Sequence, residues 1–332
     1  MLFSLIIPVY NRPDEIDDLL QSLCQQSDKG FECVIVEDGS SVTCRDIVAR
    51  FDGQIPISYY YKENEGRSPA RNYGMDRAAG DFFVFVDSDC ILPPDYFATL
   101  RRHLEAAGAE IDFFGGPDSA HPSFTTTQKA INFAMTSFLT TGGIRGGKVQ
   151  MEKFVPRTFN MGFSQRVYEK VGGFREMFSE DIDMSTRIRQ AGYEAQLLRD
   201  VFVYHKRRGD LRKFWRQVHV FGMSRITLQL LYPGSMKAVH WMPACFTLGS
   251  AALLAAAPFQ PWTLAPLGLY ATALFGSAAA STKNLATAFR AVGASFVQLL
   301  GYGTGFLRAY IWKILLRHGR DEAQEIALRK GK

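Results

Sequence analysis

The 332-residue chain has few cysteines, and their arrangement does not indicate covalent or metal staples. The five cysteines are an odd number, and no two form a Cys-x-x-Cys pair. This excludes a disulfide framework and the common cysteine zinc sites, and it favours a reducing compartment. Low-complexity composition is also absent, because 47% of the residues are hydrophobic and 21% are charged, so a disordered tail is excluded.

Two common nucleotide-binding motifs are missing. The chain contains no GxxxxGK[ST] sequence, and no GxGxxG follows an apolar run. A secretory signal is not predicted either, because the first thirteen residues have no basic segment and too short an apolar run. We therefore expect these residues to form a strand.

Acidic residues are missing from one long part of the chain. Between Leu211 and Arg320 there is no Asp or Glu, although eleven Lys and Arg occur there. Residues 1–210 hold 30 of the 33 acids and 24 of the 38 bases, a net charge of −6. This asymmetry predicts a globular domain followed by a segment that meets an anionic surface. A nucleic-acid partner is not predicted, because the bases flank apolar runs instead of a polar, aromatic-rich surface.

Charged residues are absent from the 45 residues of Ala238–Thr282. A bilayer-spanning helix needs about 20 apolar residues, and Pro258–Pro261 is a natural turn. The stretch predicts a helical hairpin with spans at about 239–257 and 262–282. Basic residues on both sides of the hairpin place the globular part on the cytoplasmic side of the inner membrane. The alternative is a buried helical pair, although soluble helices of this length usually carry charge on one face.

A third apolar stretch, at about 296–316, is interrupted by Arg308 and Lys313. We expect it to lie at the membrane interface and extend both cations to lipid phosphates, because a full span would place basic residues outside, against the usual bias. The alternative is a third span with its C-terminus exported. The predicted parts are a globular domain at 1–210, a basic amphipathic juxtamembrane segment at 211–237, membrane helices at 238–320 and a polar tail at 321–332.

The acidic part alternates apolar runs with helical patterns. The runs that predict buried strands are Leu2–Val9, Cys33–Val36, Ile57–Tyr61 and Phe82–Val86. Helical spacing follows Pro13, surrounds Ile47, and extends over Ser68–Ala79. This alternation predicts an α/β fold with an open, mostly parallel sheet, and ligands bind such sheets beyond the carboxyl ends of the strands.

Residues suited to a nucleotide diphosphate follow three of these strands. Pro8 and Tyr10 follow the first strand, Asp38 the second, and Asp87 and Asp89 the fourth. An aromatic ring can stack on a base, an acid can accept hydrogen bonds from a base or ribose, and two neighbouring carboxylates can hold a divalent cation. Each motif alone also fits an ordinary turn.

Arg67 and Arg71 open the helix that precedes the fourth strand. Their guanidinium groups and the helix N-terminus could face phosphates. Arg71 also fits an ordinary surface position on a helix.

The order of these motifs resembles that of the family-2 glycosyltransferases over roughly residues 3–205. The matching segments are LIIPVYN at 5–11, VEDGS at 36–40, Asn64 and Gly66, ARNYG at 70–74, AGD at 79–81, VDSD at 86–89, FNMG at 159–162, VGGF at 171–174 and SEDID at 179–183. The basic segment with its apolar helices is similar to the tails of membrane-attached members.

The resemblance implies a GT-A fold and transfer of a sugar from a nucleotide-diphosphate donor with inversion. It implies that Asp38 and Arg71 contact the nucleotide, and that Asp87 and Ser88 contact the ribose or a metal. It further implies that Asp89 binds a Mg²⁺ or Mn²⁺ ion that bridges the two phosphates. The other matched positions expected to bind substrate are Pro8, Tyr10, Arg67, Asn160 and Gly162.

The resemblance also implies that Asp181 is the general base, that Glu180 orients the acceptor or the metal shell, and that His205 completes that shell. Read without it, Glu180, Asp181 and Asp183 are acids in a first helical turn after a Ser179 cap. A lone histidine is likewise most often a packing residue.

Two features depart from the family pattern or leave it open. The chain lacks the Gln-x-x-Arg-Trp motif of processive members, so polymer synthesis is disfavoured. The segment His121–Pro156 predicts a mobile loop that selects the acceptor. The apolar tail suggests that the acceptor is a lipid-linked or cell-envelope glycan.

Two other functions are the alternatives. One is a non-catalytic, membrane-bound nucleotide-sugar binding or scaffold protein. The other is a nucleotidyltransferase, which usually has a glycine-rich basic loop after its first strand, whereas Tyr10–Pro13 is not such a loop.

Overall fold

The computed structural model of the protein describes residues 1–106, 111–142 and 154–328, which divide into two compact units. We call the first, formed by Met1–His121 and Phe154–Lys206, the α/β unit. The second, formed by 122–142 and Arg207–Leu328 within the described residues, is the helical unit.

The elements are numbered in chain order over the whole protein. Those of the α/β unit are β1 (Phe3–Val9), α1 (Pro13–Cys24), β2 (Phe31–Asp38), α2 (Arg45–Ala49), β3 (Ile57–Lys62), α3 (Arg67–Met75), β4 (Phe82–Phe85), β5 (Cys90–Ile91), α4 (Tyr96–Ala106), β6 (Phe113–Gly115), β7 (Asp118–Ser119), β8 (Met161–Ser164), α7 (Gln165–Val171), α8 (Glu180–Gln190), β9 (Gln196–Leu197) and β10 (Val203–His205). Those of the helical unit are α5 (Thr126–Thr136), α6 (Phe138–Thr141), α9 (Leu211–Leu231), α10 (Ala238–Ala256), a 3₁₀ turn (Pro261–Leu264), α11 (Ala265–Thr282), α12 (Leu285–Ala309), a π-helical segment (Tyr310–Leu315) and α13 (Arg320–Leu328).

Seven of the strands in the described residues form one sheet, in the order β3-β2-β1-β4-β8-β6-β9. Strands β3, β2, β1 and β4 are parallel, whereas β8 is antiparallel to both of its neighbours. The continuous apolar runs form these strands because both faces are covered. In β1, Leu5 and Ile7 pack in one hydrophobic cluster and Ile6 packs in another. The predicted α/β fold with a mostly parallel sheet is confirmed.

A second, three-stranded sheet has the order β5-β10-β7. Strand β10 is antiparallel to β5, with His205 opposite Cys90, and it is parallel to β7, with Val203 opposite Asp118. The small sheet therefore brings together three chain segments that are far apart in the sequence, and two of the predicted metal ligands lie on or beside it.

The helical unit is built around α12. Twelve of its 25 residues are buried, and α5, α9, α10 and α11 pack against it. Close packing depends on small residues: a Cβ built at Gly305 would lie 2.0 Å from the carbonyl oxygen of His219 in α9. The stretch predicted at 296–316 is thus divided between the end of α12 and the π-helical segment, and its interfacial position stays a prediction.

Two helical segments among the described residues are long and apolar enough to cross a membrane, Ala238–Ala256 and Pro261–Thr282. Only 17% and 11% of the residues in their most apolar 18-residue stretches are buried. The first of them carries Pro243 inside the helix. Their bounds agree within one residue with the spans predicted from the sequence, and their exposed apolar surface is consistent with membrane association.

The segment predicted as a mobile loop, His121–Pro156, has a different structure where it is described. Thr125 forms a capping box with Gln128 and starts α5, and α6 follows at Phe138. Both helices belong to the helical unit, because α5 presents Ala130, Ile131 and Ala134 to its core. Residues 143–153 of the predicted loop lie outside the described residues.

Candidate active site

The carboxylate of Asp38, at the end of β2, is hydrogen-bonded to neighbouring groups of the protein. It accepts hydrogen bonds from the backbone N–H groups of Glu65 (3.1 Å) and Gly66 (2.9 Å) and from Lys62 Nζ (3.0 Å). These bonds fix the turn that leads into α3. Tyr10, after β1, has a side chain that is free to meet a ligand, since the residue is 53% exposed.

Gly66 is the residue before α3, and its φ is +103°. A Cβ at this position would lie 2.8 Å from Glu176 Oε1. The other carboxylate oxygen of Glu176, Oε2, accepts a hydrogen bond from the Ser68 N–H. Only glycine fits both the backbone conformation and the space. The predicted motif residue thus sets the start of the helix that carries Arg67 and Arg71.

Arg71 is buried, at 2% exposure, and its guanidinium joins two predicted parts of the site. Its Nη2 donates to Asp87 Oδ1 at 2.8 Å, and its Nη1 donates to Glu180 Oε1 at 3.0 Å. The ring of Phe174 lies 5.7 Å from the guanidinium carbon. The turn after β4 and the start of α8 are therefore held by the two Nη atoms of one guanidinium. The predicted contact of Arg71 with nucleotide stays a prediction, and its observed contacts are with these two carboxylates.

Arg67 is the more exposed arginine, with 46% of its side chain accessible and its Nε 3.0 Å from Glu180 Oε1. Burial lowers the pKa of its guanidinium, but the charges of Glu180, Asp181, Asp87 and Glu176 outweigh burial and hold the pKa above its ordinary value. Asp87 and Asp181 thus act on the same guanidinium. The Arg67 guanidinium therefore interacts electrostatically with both Asp87, predicted to contact the ribose or a metal, and Asp181, the predicted base.

Glu180 is buried beneath these arginines. Burial raises the pKa of its carboxyl above the ordinary value, and the charges of Arg67 and Arg71 oppose that rise. Replacing either arginine would leave this carboxylate with less compensation in a low-dielectric environment.

The first turn of α8 contains three acids with different surroundings. Asp183 is buried between Arg175 (3.3 Å) and Arg187 (2.9 Å), which makes it a structural ion pair. Asp181 keeps 16% of its side chain exposed, lies 3.4 Å from Arg157 Nη1, and accepts a hydrogen bond from the Ile182 N–H. Asp181 is therefore the acid of the three with an accessible and loosely held oxygen.

The residue before α8 does not act as the sequence suggests. Ser179 has a left-handed backbone, with φ +65°, and its side chain makes no capping hydrogen bond to the helix. A non-glycine residue in this conformation stores strain, and such strain is concentrated at functional sites. The acids of this turn therefore follow a strained junction instead of an ordinary cap.

Asp89 and His205 meet beside the small sheet, with Asp89 Oδ1 3.1 Å from His205 Nε2. Cys90 Sγ lies in the same cluster, in which one ligand atom from each of the three residues lies within 4.8 Å of the others. His205 Nδ1 faces Asp118 Oδ2 at 3.6 Å, and the ring lies 5.0 Å from that of Phe159. The register of β10 with β5 and β7 creates this arrangement.

The donor chemistry of this cluster fits Mg²⁺ or Mn²⁺ at two of its three members. Burial raises the pKa of the Cys90 thiol well above its ordinary value, and its Sγ donates to the Phe159 carbonyl, so it is not the thiolate that metal binding needs. The Asp89 carboxylate suits hard cations, and the His205 imidazole suits Mn²⁺ better than Mg²⁺. Two protein ligands leave room for phosphate oxygens.

Other predicted substrate residues lie inside the protein. The buried Asn160 side chain accepts from Tyr96 Oη at 2.7 Å and donates to the Val201 carbonyl at 2.8 Å. Gly162 pairs within the large sheet, where a Cβ would lie 2.5 Å from the Phe114 ring. Ser88 is buried and Pro8 is half-buried.

Two residues at the site were missed by sequence reasoning, Asp118 behind His205 and Arg157 beside Asp181. Asp118 lies in a short Pro-Asp-Ser sequence that fits a turn, and only its pairing with β10 brings it to the histidine. Arg157 has no motif around it, so its proximity to Asp181 depends on the tertiary fold alone.

The fold is similar to that of solved sugar transferases. The mannosyltransferase PcManGT from Pyrobaculum calidifontis, solved in complex with GDP-Man and Mn2+, matches with a TM-score of 0.55 at 20% identity, covering 95% of this chain and 87% of that one. S. aureus TarS 1-349 in complex with UDP-GlcNAc matches with a TM-score of 0.50 at 18% identity, over 92% and 91% of the two chains. The α/β unit therefore has the GT-A fold, as predicted.

The family follows from the sequence match. The model for "Glycosyl transferase family 2" matches residues 4–172, about half of the chain, so this protein belongs to glycosyltransferase family 2. The putative glycosyltransferase EpsH of Bacillus subtilis is 37% identical over 112 residues, which are 33% of this chain and 31% of EpsH. The chain spans 12–31% of the length of the curated bacterial relatives that it matches at 35–38% identity.

Proposed function

We propose that this protein is an inverting, metal-dependent glycosyltransferase that moves a sugar from a nucleotide-diphosphate donor to an acceptor hydroxyl. The observation that carries the proposal is the Arg71 bridge, which ties the turn at Asp87 to Glu180, the neighbour of Asp181. Transfer from a diphosphate is helped by positive charge near the leaving group and by a base near the acceptor hydroxyl. The Arg71 bridge links the turn proposed to bind the cation to the helix that carries the proposed base.

On the donor side, Arg67 offers an exposed guanidinium at the N-terminus of α3, which suits phosphate oxygens. The exposed ring of Tyr10 suits stacking on a base. Asp89 and His205 would hold the divalent ion. When bound there, Mn²⁺ or Mg²⁺ would offset the negative charge that develops on the departing diphosphate.

On the acceptor side, Asp181 has the role of general base. Its Oδ2, which Arg157 holds only at 3.4 Å, takes the proton of the acceptor hydroxyl. At the same time the hydroxyl oxygen forms a bond to the anomeric carbon, and the bond from that carbon to the diphosphate oxygen breaks. Attack from the face opposite the diphosphate inverts the configuration. Arg157, 3.4 Å from Asp181, orients the carboxylate.

We propose that the acceptor is a lipid-linked or cell-envelope glycan at the cytoplasmic face of the inner membrane. Support comes from the two long apolar helical segments and from the eleven bases between Leu211 and Arg320, which suit anionic lipid. A membrane-attached enzyme meets a lipid-linked acceptor at a raised local concentration.

A thermal-shift panel of UDP, GDP, ADP and CDP, each with Mn²⁺ and with EDTA, tests the donor class. The mannosyltransferase neighbour was solved with GDP-Man and Mn2+, and TarS with UDP-GlcNAc, so guanine and uracil are the first bases to try. We expect at least one nucleotide to raise the melting temperature in Mn²⁺ and to lose that effect in EDTA. Equal stabilisation in EDTA would contradict the metal role, and no stabilisation by any nucleotide would contradict the donor class.

A further inference from the structure

A groove of about 640 Å³ lies within the helical unit, between α5, the first residue of α9, α11 and α12. This volume is within the roughly 300–1,000 Å³ typical of small-molecule sites. Most of its lining is apolar, from Ala130, Ala271, Phe275, Phe289 and Val292. A groove with such walls suits a hydrocarbon chain better than a polar solute.

Arg290 is the charged residue of this lining. Its Nη1 donates to Thr127 Oγ1 at 2.9 Å, which leaves most of the five guanidinium N–H donors for a ligand. In the described part of the helical unit the acids are Asp210, at the start of α9, and three residues of α13, and none of them forms an ion pair with Arg290. Asp210 instead binds the Lys213 N–H at 2.7 Å. The charge at the groove therefore calls for an external anion.

With α11 placed across a bilayer, the groove lies near the lipid headgroups at the end of that helix. Helix α11 is apolar along its length, buries Leu274 and Ala278, and ends at Thr282. At 1.5 Å per residue, Phe275 lies about 10 Å before that end, and Arg290 lies about 8 Å after the start of α12. The headgroup layer on each side of a bilayer is about 5–8 Å thick. In such a bilayer the apolar groove and Arg290 lie near the depth at which lipid acyl chains join their phosphate groups.

We propose that this groove binds an anionic phospholipid of the surrounding bilayer, with one acyl chain against Phe275 and Phe289 and the phosphate on Arg290. The observations that support this site are an apolar cleft and a cation that has unused donors and no carboxylate partner among the described residues. Arginine binds phosphate oxygens through paired, charge-assisted hydrogen bonds. The site lies within the helical unit and does not depend on sugar transfer.

Native mass spectrometry of the full chain, released from nanodiscs of equal parts phosphatidylglycerol and phosphatidylcholine, measures the retained lipid. We expect preferential retention of phosphatidylglycerol. Arg290→Gln should lower that retention at least about tenfold, because a charge-assisted bond to phosphate is lost. The matched control is Arg102→Gln in α4 of the α/β unit, where an exposed arginine likewise bonds a threonine, donating from Nη2 to Thr99 Oγ1 at 3.2 Å.

A second pair of variants tests the chain-binding part without changing charge. Gly293 lines the groove, and a Cβ there meets nothing within 4 Å, so Gly293→Leu extends an apolar side chain into the groove from an unobstructed Cβ. Gly276 in α11 is equally open but is not part of the lining, which makes Gly276→Leu the control. We expect only Gly293→Leu to reduce lipid retention, with the melting temperatures of both variants within a few degrees of the parent.

Three results would overturn the assignment. The first is equal retention of phosphatidylcholine, and the second is unchanged retention in Arg290→Gln or in Gly293→Leu. The third is one-for-one displacement of the phospholipid by an added polyprenyl phosphate, which would make the groove an acceptor site. Nucleotide binding by the α/β unit, measured on the same samples, reports separately on the proposed function.

Discussion

The two compact units of this protein hold their buried charged side chains in different ways. The α/β unit buries them in closed sets of acids and bases, such as Arg71 with Asp87 and Glu180, and Asp183 with Arg175 and Arg187. The helical unit has no acid between Leu211 and Arg320, packs α12 with alanine and glycine, and bonds its buried Arg207 and Arg225 to the Asn132 amide and the Ser235 carbonyl. A buried charge is tolerated only with a partner, so in the first unit each member of a set depends on the others.

This difference predicts which substitutions should destabilise the protein most. Removing one charge from a closed set leaves another charge buried without compensation, whereas removing an exposed cation from the helical unit leaves nothing behind. We therefore expect large effects in the α/β unit and small ones on the stability of the helical unit.

Asp181→Asn should lower sugar transfer by about 10²–10⁴-fold, which is the range for loss of a general base. Donor affinity should stay within about twofold, because the amide keeps the shape of the side chain and Arg67 remains. Initial rates and donor titration calorimetry measure the two quantities. Full turnover with normal donor binding would refute the base assignment.

Arg71→Gln should lower the free energy of unfolding by about 3–5 kcal/mol, because Glu180 would stay buried with one guanidinium fewer. Arg67→Gln is the matched comparison, since that side chain is more exposed and also contacts Glu180. We expect it to change the free energy of unfolding by about 1 kcal/mol or less and to weaken donor binding. Urea unfolding followed by circular dichroism would contradict the account if the two variants were equally stable.

Asp89→Ala should remove the Mn²⁺-dependent part of donor affinity, with an expected loss of about tenfold or more. His205→Ala should lose less, because the carboxylate remains. Donor titration in Mn²⁺ and in EDTA measures this difference. If both variants kept the full Mn²⁺ dependence, the cation would have to bind elsewhere.

Asp28→Asn should lower the free energy of unfolding by about 1 kcal/mol near neutral pH. The hydrogen bond from Arg101 is the main cause that lowers the pKa of Asp28, and burial opposes it. A lowered folded-state pKa gives stability that is present above the unfolded pKa of about 3.9 and is lost as pH falls through the folded pKa. The stabilities of parent and variant should therefore converge as the pH falls from about 3.9 through the folded-state pKa of Asp28, as measured by thermal melts across pH.

Arg290→Gln should change the free energy of unfolding by less than about 0.5 kcal/mol in detergent. Its guanidinium is exposed and bonds only Thr127 among the described residues, so no carboxylate is left uncompensated. A loss as large as that of Arg71→Gln would remove the distinction between the two units.

Much of the fold could be predicted because its signals are local. The apolar runs predicted β1, β2 and β4 to within two residues at either end, since strands buried on both faces are continuously apolar. The predicted loop from His121 was wrong where it is described, because the Thr125–Gln128 capping box was not recognised among polar residues.

The site could be predicted only in part. Motif order indicated Asp89 and Asp181, but the burial of Arg71 and of Asn160 depends on packing that no local pattern reveals. Asp118 reaches His205 through strand register, 87 residues along the chain. The roles assigned to these residues stay predictions, whereas membership of glycosyltransferase family 2 is confirmed.

The most direct measurement is a crystal structure with Mn²⁺ and a non-hydrolysable nucleotide sugar, in which anomalous scattering locates the metal. The account predicts one Mn²⁺ about 2–2.5 Å from Asp89 and bound to the diphosphate, with the anomeric carbon between that ion and the Asp181 carboxylate. A metal bound away from Asp89, or a sugar whose open face points away from Asp181, would contradict it.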